Sequence, residues 1–533
     1  MKTKITIITP TPPDISAFGV RSLSAYLRSN GFDTRLIFLP GSIGKLKKGA
    51  DFVYAYDASV LERIVELCKG SDIVGVSFMS NYFDRAIQVT EALKKSLSSI
   101  VVWGGIHPTT SPEQALKYAD AVCIGEGEES LLELAQRKER NGDFSDVKGM
   151  WFKKDGGIIR NRLRDSFIEL DKLPFFDFSL KDHYLLDLKT NRIVPLDAEA
   201  FRNVLPRLPH PDGKLRIAYR TMTDRGCPHK CSYCNISNQK EMYEKVGLKY
   251  FRARSVENFI TELEDIKRRF PFIGAVQFFD DTFFARPVHE IEEFSRLYKE
   301  RIGLPFYTQA SPTTISERKM EHLVNAGMVY VEMGVQTGSS RIKQLYNRTE
   351  SNEKIVEAAR TISRYVPRIF PPDYHIILDN PWETDEDTMD TVRLLMQLPK
   401  PYGLCISSLV FFPQTFLYHK AKKEGLIKDD ASDIYRKPFY VSPNRSYPNF
   451  LIYLLTFQHF PRTILNILAR EPVVNFLSKM NLSFLYNIGC RVGEFIRFIF
   501  KGIKVIWSHD WERIRLFLNK MRMSDPIVDG RKR

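Results

Sequence analysis

The sequence contains no uncharged apolar run of the roughly 18 residues that a membrane-spanning helix requires. Cysteine is scarce: 7 residues in 533, an odd number, which excludes the disulfide framework of a small secreted module. The opening MKTKITIITP lacks the longer apolar stretch and small-residue cleavage site of a signal peptide, so a cytoplasmic protein is expected. Internal repeats and low-complexity tracts are also missing. With 43% hydrophobic residues, intrinsic disorder is excluded. At roughly 150 residues per domain, the length implies three or four domains.

Charge, by contrast, is plentiful and lopsided. Lys plus Arg number 78 against 64 for Asp plus Glu, and a net +14 suggests an anionic partner such as nucleic acid or a phospholipid surface. The excess is concentrated, because 14 basic and 6 acidic residues lie between Phe450 and Arg533.

Residues 1–150 alternate short β-branched runs (ITIIT, DIVGVSF, IVVWGG, AVCIG) with helical periods, the rhythm of a doubly wound, Rossmann-like parallel sheet. Such sheets bind ligands at the carboxyl ends of their strands. Those ends carry Thr9 to Pro13, Ser77 to Asn81, Gly104-Gly105-Ile106-His107-Pro108-Thr109 and Gly125-Glu126-Gly127-Glu128. Glycine there admits a bulky planar ligand close to the backbone, although any one loop also reads as a tight turn. Residues 151–215, with Leu173-Pro174-Phe175-Phe176-Asp177, read as a connector. Over 216–440 six strand-like segments are each followed by a helical one, which predicts a partial or complete parallel α/β barrel with its active site at the carboxyl strand ends. Residues 441–533 are helical, apolar and interrupted by Arg and Lys. They resemble interfacial amphipathic helices presenting Phe, Leu, Ile and Trp507, or a lid packed over the barrel.

The sharpest signal is Asp224-Arg225-Gly226-Cys227-Pro228-His229-Lys230-Cys231-Ser232-Tyr233-Cys234, a Cys-x3-Cys-x2-Cys run just after the first barrel strand. Three thiolates on one loop can hold three irons of a 4Fe-4S cluster and leave the fourth iron open to a chelating substrate. The alternative, a structural zinc site, usually recruits a fourth Cys or His at regular spacing, and His229 lies inside the triplet, where its side chain would have to fold back.

On this loop, residues 216–425 resemble the radical S-adenosylmethionine (SAM) superfamily. The resemblance implies that Cys227, Cys231 and Cys234 ligate the cluster and are its catalytic metal ligands. It implies that S-adenosylmethionine chelates the unique iron and is cleaved to methionine and a 5'-deoxyadenosyl radical, with Tyr233 near the adenine. It places Asp280 and Asp281, after the second strand, toward the methionyl amine. Glu332 and Gln336, in Val331-Glu332-Met333-Gly334-Val335-Gln336-Thr337-Gly338, would meet the ribose side; the carboxylates of Asp280, Asp281 and Glu332 also read as rim salt-bridge partners. Leu378-Asp379-Asn380-Pro381-Trp382-Glu383-Thr384 departs from the glycine-containing turn usual after the fifth strand.

The loops around Gly104-Gly105 and Gly125-Glu126-Gly127 resemble the cobalamin-binding domain that precedes many radical SAM enzymes, which adds cobalamin as a third cofactor near Ser77, Gly104, Gly105, His107, Gly125, Glu126 and Gly127. An Asp-x-His-x-x-Gly motif is missing from the first loop. Cobalt would then bind without a protein histidine; His107 is the one tempting ligand and otherwise a loop-ordering residue. The architecture implies methylation of an unactivated carbon, with a radical cyclase or carbon–carbon coupling enzyme as the alternative. A tRNA-modifying enzyme is a third reading, but only Cys68 and Cys123 lie in the first 150 residues, too few for a second cluster, and no nucleic-acid partner is expected. The remaining expectations are a small-molecule or lipid-like substrate, a flavodoxin or ferredoxin electron donor, and peripheral contact with the inner face of the membrane.

Overall fold

A computed structural model of the chain describes residues 2–12, 14–41, 54–436, 446–457, 460–480 and 482–507. Pro13, the side chain of Trp507 and the last part of the basic tail, 508–533, lie outside the described residues. The chain divides into two compact units: Met1–Pro206 with Ile217–Gly274 and Val410–Pro438, and Arg207–Arg216 with Ala275–Leu409 and Phe439–Arg533.

Among the described residues, the first unit is built on a nine-stranded sheet. Its middle runs Ala121–Cys123, Ile100–Gly104, Ile73–Ser77, Ile5–Thr11, Thr34–Pro40, His183–Asp187, all parallel. Every residue of Ile5–Thr11 is buried, as a central strand covered on both faces must be. The strand order reverses between Ile5–Thr11 and Ile73–Ser77, and a reversal of this kind opens a crevice at the carboxyl strand ends. The strand Thr34–Pro40 and helix Ala58–Cys68 were not recognised in the sequence. Nor were the strands of the expected connector: Met150–Lys154 and Gly157–Arg160 extend one sheet edge antiparallel, while His183–Asp187 and Arg192–Pro195 form the other. Asp177 pins this stretch, accepting from Ser24 Oγ at 2.5 Å and pairing with Arg28 at 3.1 Å and His183 at 3.2 Å.

All six barrel segments form strands: Leu215–Thr221, Ala275–Phe278, Phe306–Ala310, Met328–Gln336, Asp373–Leu378 and Gly403–Ser408. Within the second unit the last five pair parallel in chain order. The helices between them start at side-chain caps, such as Ser316, Ser351 and Thr384, each accepting a backbone N–H three residues on. The unit ends in the helices Tyr447–Leu455, Arg462–Leu468, Glu471–Lys479 and Ser483–Trp507. No helix among the described residues is long and apolar enough to cross a membrane.

Candidate active site

After Leu215–Thr221 the chain enters a two-residue strand, Asp224–Arg225, paired antiparallel with Arg252–Ala253. Gly226 follows at φ +90°, and a Cβ there would lie 2.9 Å from the Tyr250 ring, so only glycine suits the turn into Cys227. The loop is tied to its own backbone: the Cys231 carbonyl accepts from Cys234 N at 3.1 Å and Ser237 Oγ at 2.8 Å, and Lys240 Nζ donates to the Pro228 carbonyl at 2.7 Å. Cys234 then begins the helix Asn235–Glu244. Cys231 is buried, while Cys227, Tyr233 and Cys234 are half-buried. No three His, Cys, Asp or Glu side chains among the described residues gather tightly enough to hold a single metal ion.

Parallel pairing sets Ser77 opposite Gly104 at the sheet's carboxyl edge. Gly105 has φ +93°, and a Cβ there would sit 2.8 Å from the Phe78 carbonyl oxygen. Gly125, at φ +77°, leaves no room for a Cβ beside Tyr243 Oη, and it donates its N–H to Thr109 Oγ1 at 3.0 Å. These loops open onto a cavity of about 350 Å³ within the first unit, lined by Ser77, Gly104, Gly105, Gly125, Glu126 and Gly127. The glycines leave its floor bare: a Cβ on Gly104 would meet only Cys123 Cβ, at 3.9 Å, and one on Gly19 would meet nothing within 4 Å. A flat corrin fits such a backbone floor.

Sequence reasoning missed other walls of this cavity. Leu173, Pro174 and Phe176 come from the expected connector, and Met222, Asp224 and Arg225 come from the approach to Cys227. The only signal for them was their proximity in sequence to the proline-rich stretch and the cysteine run. His107, in contrast, does not line the cavity. It is fully buried beside the rings of Phe83 at 4.7 Å, Tyr435 at 5.0 Å and Phe78 at 5.4 Å, with Nδ1 3.1 Å from Ser80 Oγ. Burial pushes its pKa down to about 3, so the ring is neutral. The chain at Thr9–Thr11, where the histidine motif is missing, is still buried strand.

Arg225 binds Glu126 at 2.8 Å, Glu128 at 2.6 Å and Ser22 Oγ at 2.9 Å, and Arg252 also pairs with Glu126. Burial alone would lower the Arg225 pKa, but Glu128 and Glu126 raise it above its usual range. Burial raises the Glu126 carboxyl; for Glu128 the opposing pull of Arg225 wins and holds the carboxyl down.

In the second unit, Asp280 is buried and Asp281 exposed just beyond Ala275–Phe278. Glu332, on Met328–Gln336, pairs with His375 at 3.2 Å. Burial works against charge on that imidazole, but hydrogen bonds to Cys405 and Glu332 raise its pKa to about 10. Gln336 ends the strand at φ +69°, beside a register shift after Gly334. In the unusual turn after the fifth strand, Asp379 accepts from Ser408 Oγ at 2.5 Å and Asn449 Nδ2 at 3.0 Å, while Thr384 and Asp387 cap the next helix reciprocally.

Residues 223–395 match the profile of the radical SAM superfamily, and residues 5–135 match the B12 binding domain. An uncharacterized methyltransferase of Pyrococcus horikoshii is 24% identical over 67% of this chain and 70% of its own length. The bacteriochlorophyllide d C-8(2)-methyltransferase of Chlorobaculum tepidum is 22% identical over 67% of this chain and 69% of its own. The fold resembles that of the radical SAM methyltransferase TsrM from Kitasatospora setae, with TM-score 0.60 and 17% identity over 84% of this chain and 80% of that one. The chain thus joins a B12-binding domain to a radical SAM half-barrel and a helical carboxyl-terminal region. The two family models identify a B12 binding domain and a radical SAM domain within one chain.

Proposed function

We propose that the protein methylates an unactivated carbon of an apolar, lipid-like substrate. One observation carries this reading: a single cavity is lined both by the glycine loops of the B12-binding domain and by Met222, Asp224 and Arg225, the residues leading into Cys227. When bound, the cluster and S-adenosylmethionine supply a hydrogen-abstracting adenosyl radical, and cobalamin supplies a methyl carrier. Cys227, Cys231 and Cys234 are assigned as cluster ligands. Ser77, Gly104, Gly105, Gly125, Glu126 and Gly127 are assigned to the corrin. His107 orders the Gly104-Gly105 loop from behind and gives no ligand to cobalt. Tyr233, Asp280, Asp281, Glu332 and Gln336 are assigned to S-adenosylmethionine. The apolar walls of the cavity, including Phe18, Leu173 and Phe176, keep water from the reacting carbon.

The carboxyl-terminal helices support an apolar substrate at a phospholipid surface. Ser483–Trp507 turns Gly489 and Gly493 inward, where a Cβ would come within 3.1 Å of Phe450 and 2.7 Å of Tyr453 Oη. Its outer face exposes Phe484, Ile488, Val492, Phe495, Ile499 and Ile503, spaced three or four residues apart. The net positive charge after Phe450 suits an anionic leaflet, each nearby Lys or Arg contributing about 1 kcal/mol before screening. A flavodoxin or ferredoxin is the proposed electron donor. The test is anaerobic reconstitution with cobalamin and S-adenosylmethionine, followed by mass spectrometry of lipid extracts from cells with and without the gene. A lipid that gains one methyl group only when the gene is present supports the reading. Identical extracts overturn the lipid substrate, and a ring-closed product overturns methylation.

A further inference from the structure

The loop Gly125-Glu126-Gly127 is held from both sides of the cysteine triplet. On the upstream side, Arg225, two residues before Cys227, bonds to Glu126, Glu128 and Ser22, and Arg252 on the paired strand also binds Glu126. On the downstream side, Tyr243, on the helix that Cys234 begins, accepts the backbone N–H of Glu126 at 2.7 Å and closes the space above Gly125. The Tyr243 ring stacks on Tyr250 at 5.2 Å, and Tyr250 in turn abuts Gly226. The glycine loop that lines the cavity and the loop that carries the thiolates are therefore one connected element, with the half-buried Glu126, the buried Glu128, two arginines and a tyrosine as its links.

From this we infer that Arg225 and Tyr243 are positioning residues that couple occupancy of the cavity by cobalamin to the reduction of the cluster. A corrin resting on Gly125–Gly127 cannot shift that loop without moving both flanks of the cysteine triplet, so the environment of the thiolates depends on whether the corrin is present. Such coupling is reciprocal: cobalamin changes how readily the cluster takes up an electron, and the reduced cluster changes the affinity for cobalamin by the same factor. The consequence is regulatory, because the reduction that S-adenosylmethionine cleavage requires then differs between enzyme with and without its methyl carrier. The inference rests on the cofactor assignments proposed above.

The experiment is a dithionite redox titration of the full-length, cluster-reconstituted protein, followed by the paramagnetic signal of the reduced cluster, with and without saturating hydroxocobalamin. In the unaltered protein the ratio of reduced to oxidised cluster at fixed poise is expected to change by at least about fivefold on loading cobalamin. Arg225→Gln and Tyr243→Phe should each remove most of that change while iron content and cobalamin stoichiometry are retained, and Arg225→Lys should restore part of it. No change in the unaltered protein, or the full change in a variant that still binds both cofactors, overturns the coupling. Should the unaltered protein fail to take up cobalamin or a cluster, the cofactor assignment itself falls, a result distinct from loading without coupling. If Arg225→Gln is poorly folded, Tyr243→Phe carries the decision alone, since it removes one hydroxyl and keeps the ring.

Discussion

The cavity wall in the first unit and the outer face of Ser483–Trp507 in the second are both rich in apolar side chains, but only the wall lines a cavity. Around the cavity, Arg225, Glu126, Glu128, Arg252 and Ser22 satisfy one another, and the glycine turns admit no side chain. On the helix, Phe484 and Phe495 are 73% and 64% exposed, and the packed side is the opposite one, at Gly489 and Gly493. A cross-linked wall fixes the shape of its ligand. An exposed stripe specifies only that something apolar meets it. The difference predicts that variants in one region leave the function of the other intact.

The largest effect belongs to the cysteine loop. Replacing Cys227, Cys231 and Cys234 together with Ala is expected to abolish the visible iron–sulfur absorbance and all turnover while vesicle binding is kept. A triple variant with full cluster content would remove the basis of the comparison. Next is Gly125→Ala. Its φ of +77° costs about 1–2 kcal/mol for a residue with a side chain, and the new methyl collides with Tyr243 Oη, so cobalamin affinity should fall at least about tenfold in a spectrophotometric titration.

On the open face, Ile488→Glu with Phe495→Glu removes two insertions of about 1.5–3 kcal/mol each. Flotation with anionic vesicles at low salt should show binding reduced more than tenfold and cobalamin affinity unchanged. Binding of the unaltered protein should weaken with salt without vanishing, because apolar insertion is not screened. Failure of the unaltered protein to float would assign the stripe to another partner.

The smallest expected effect concerns His107. Its folded pKa, about 3, lies below the unfolded value near 6.5, so the unfolded chain binds one more proton between these limits. The stability this neutral ring contributes is complete above about pH 6.5 and is lost as pH falls toward 3, by up to about 1.4 kcal/mol per pH unit. In thermal melts from pH 5 to 7.5, His107→Gln should flatten the acid-side slope by up to one proton. An unchanged slope would contradict the burial account.

The two regions also differ in how much could be read in the sequence. Cys227, Cys231 and Cys234 lie within eight residues, and Gly105 and Gly125 sit where backbone conformation demands glycine, so spacing and turn chemistry alone located them. The six barrel segments were legible because their patterns are local. What was not legible is long-range. Arg225 meets Glu128 across 97 positions, and Tyr243 meets Glu126 across 117. The strand His183–Asp187 is held by pairing with Thr34–Pro40, which no nearby residue announces. His107 was expected near the corrin because it sits in a glycine loop, as a loop-ordering residue rather than a ligand, but its ring turns into an aromatic cluster that the sequence scatters from Phe78 to Tyr435. The amphipathic helix showed its apolar face plainly, and periodicity says nothing about what that face meets.

The central claim is that the glycine-floored cavity holds cobalamin with no histidine of this chain on cobalt. Paramagnetic resonance of the Co(II) cobalamin complex, prepared from protein with ordinary and with heavy-nitrogen-labelled histidine, tests it most directly. The account predicts one equivalent of bound cobalamin and spectra that are identical for the two preparations. Loss of cobalamin on desalting, or a nitrogen splitting that changes with the label, would contradict it.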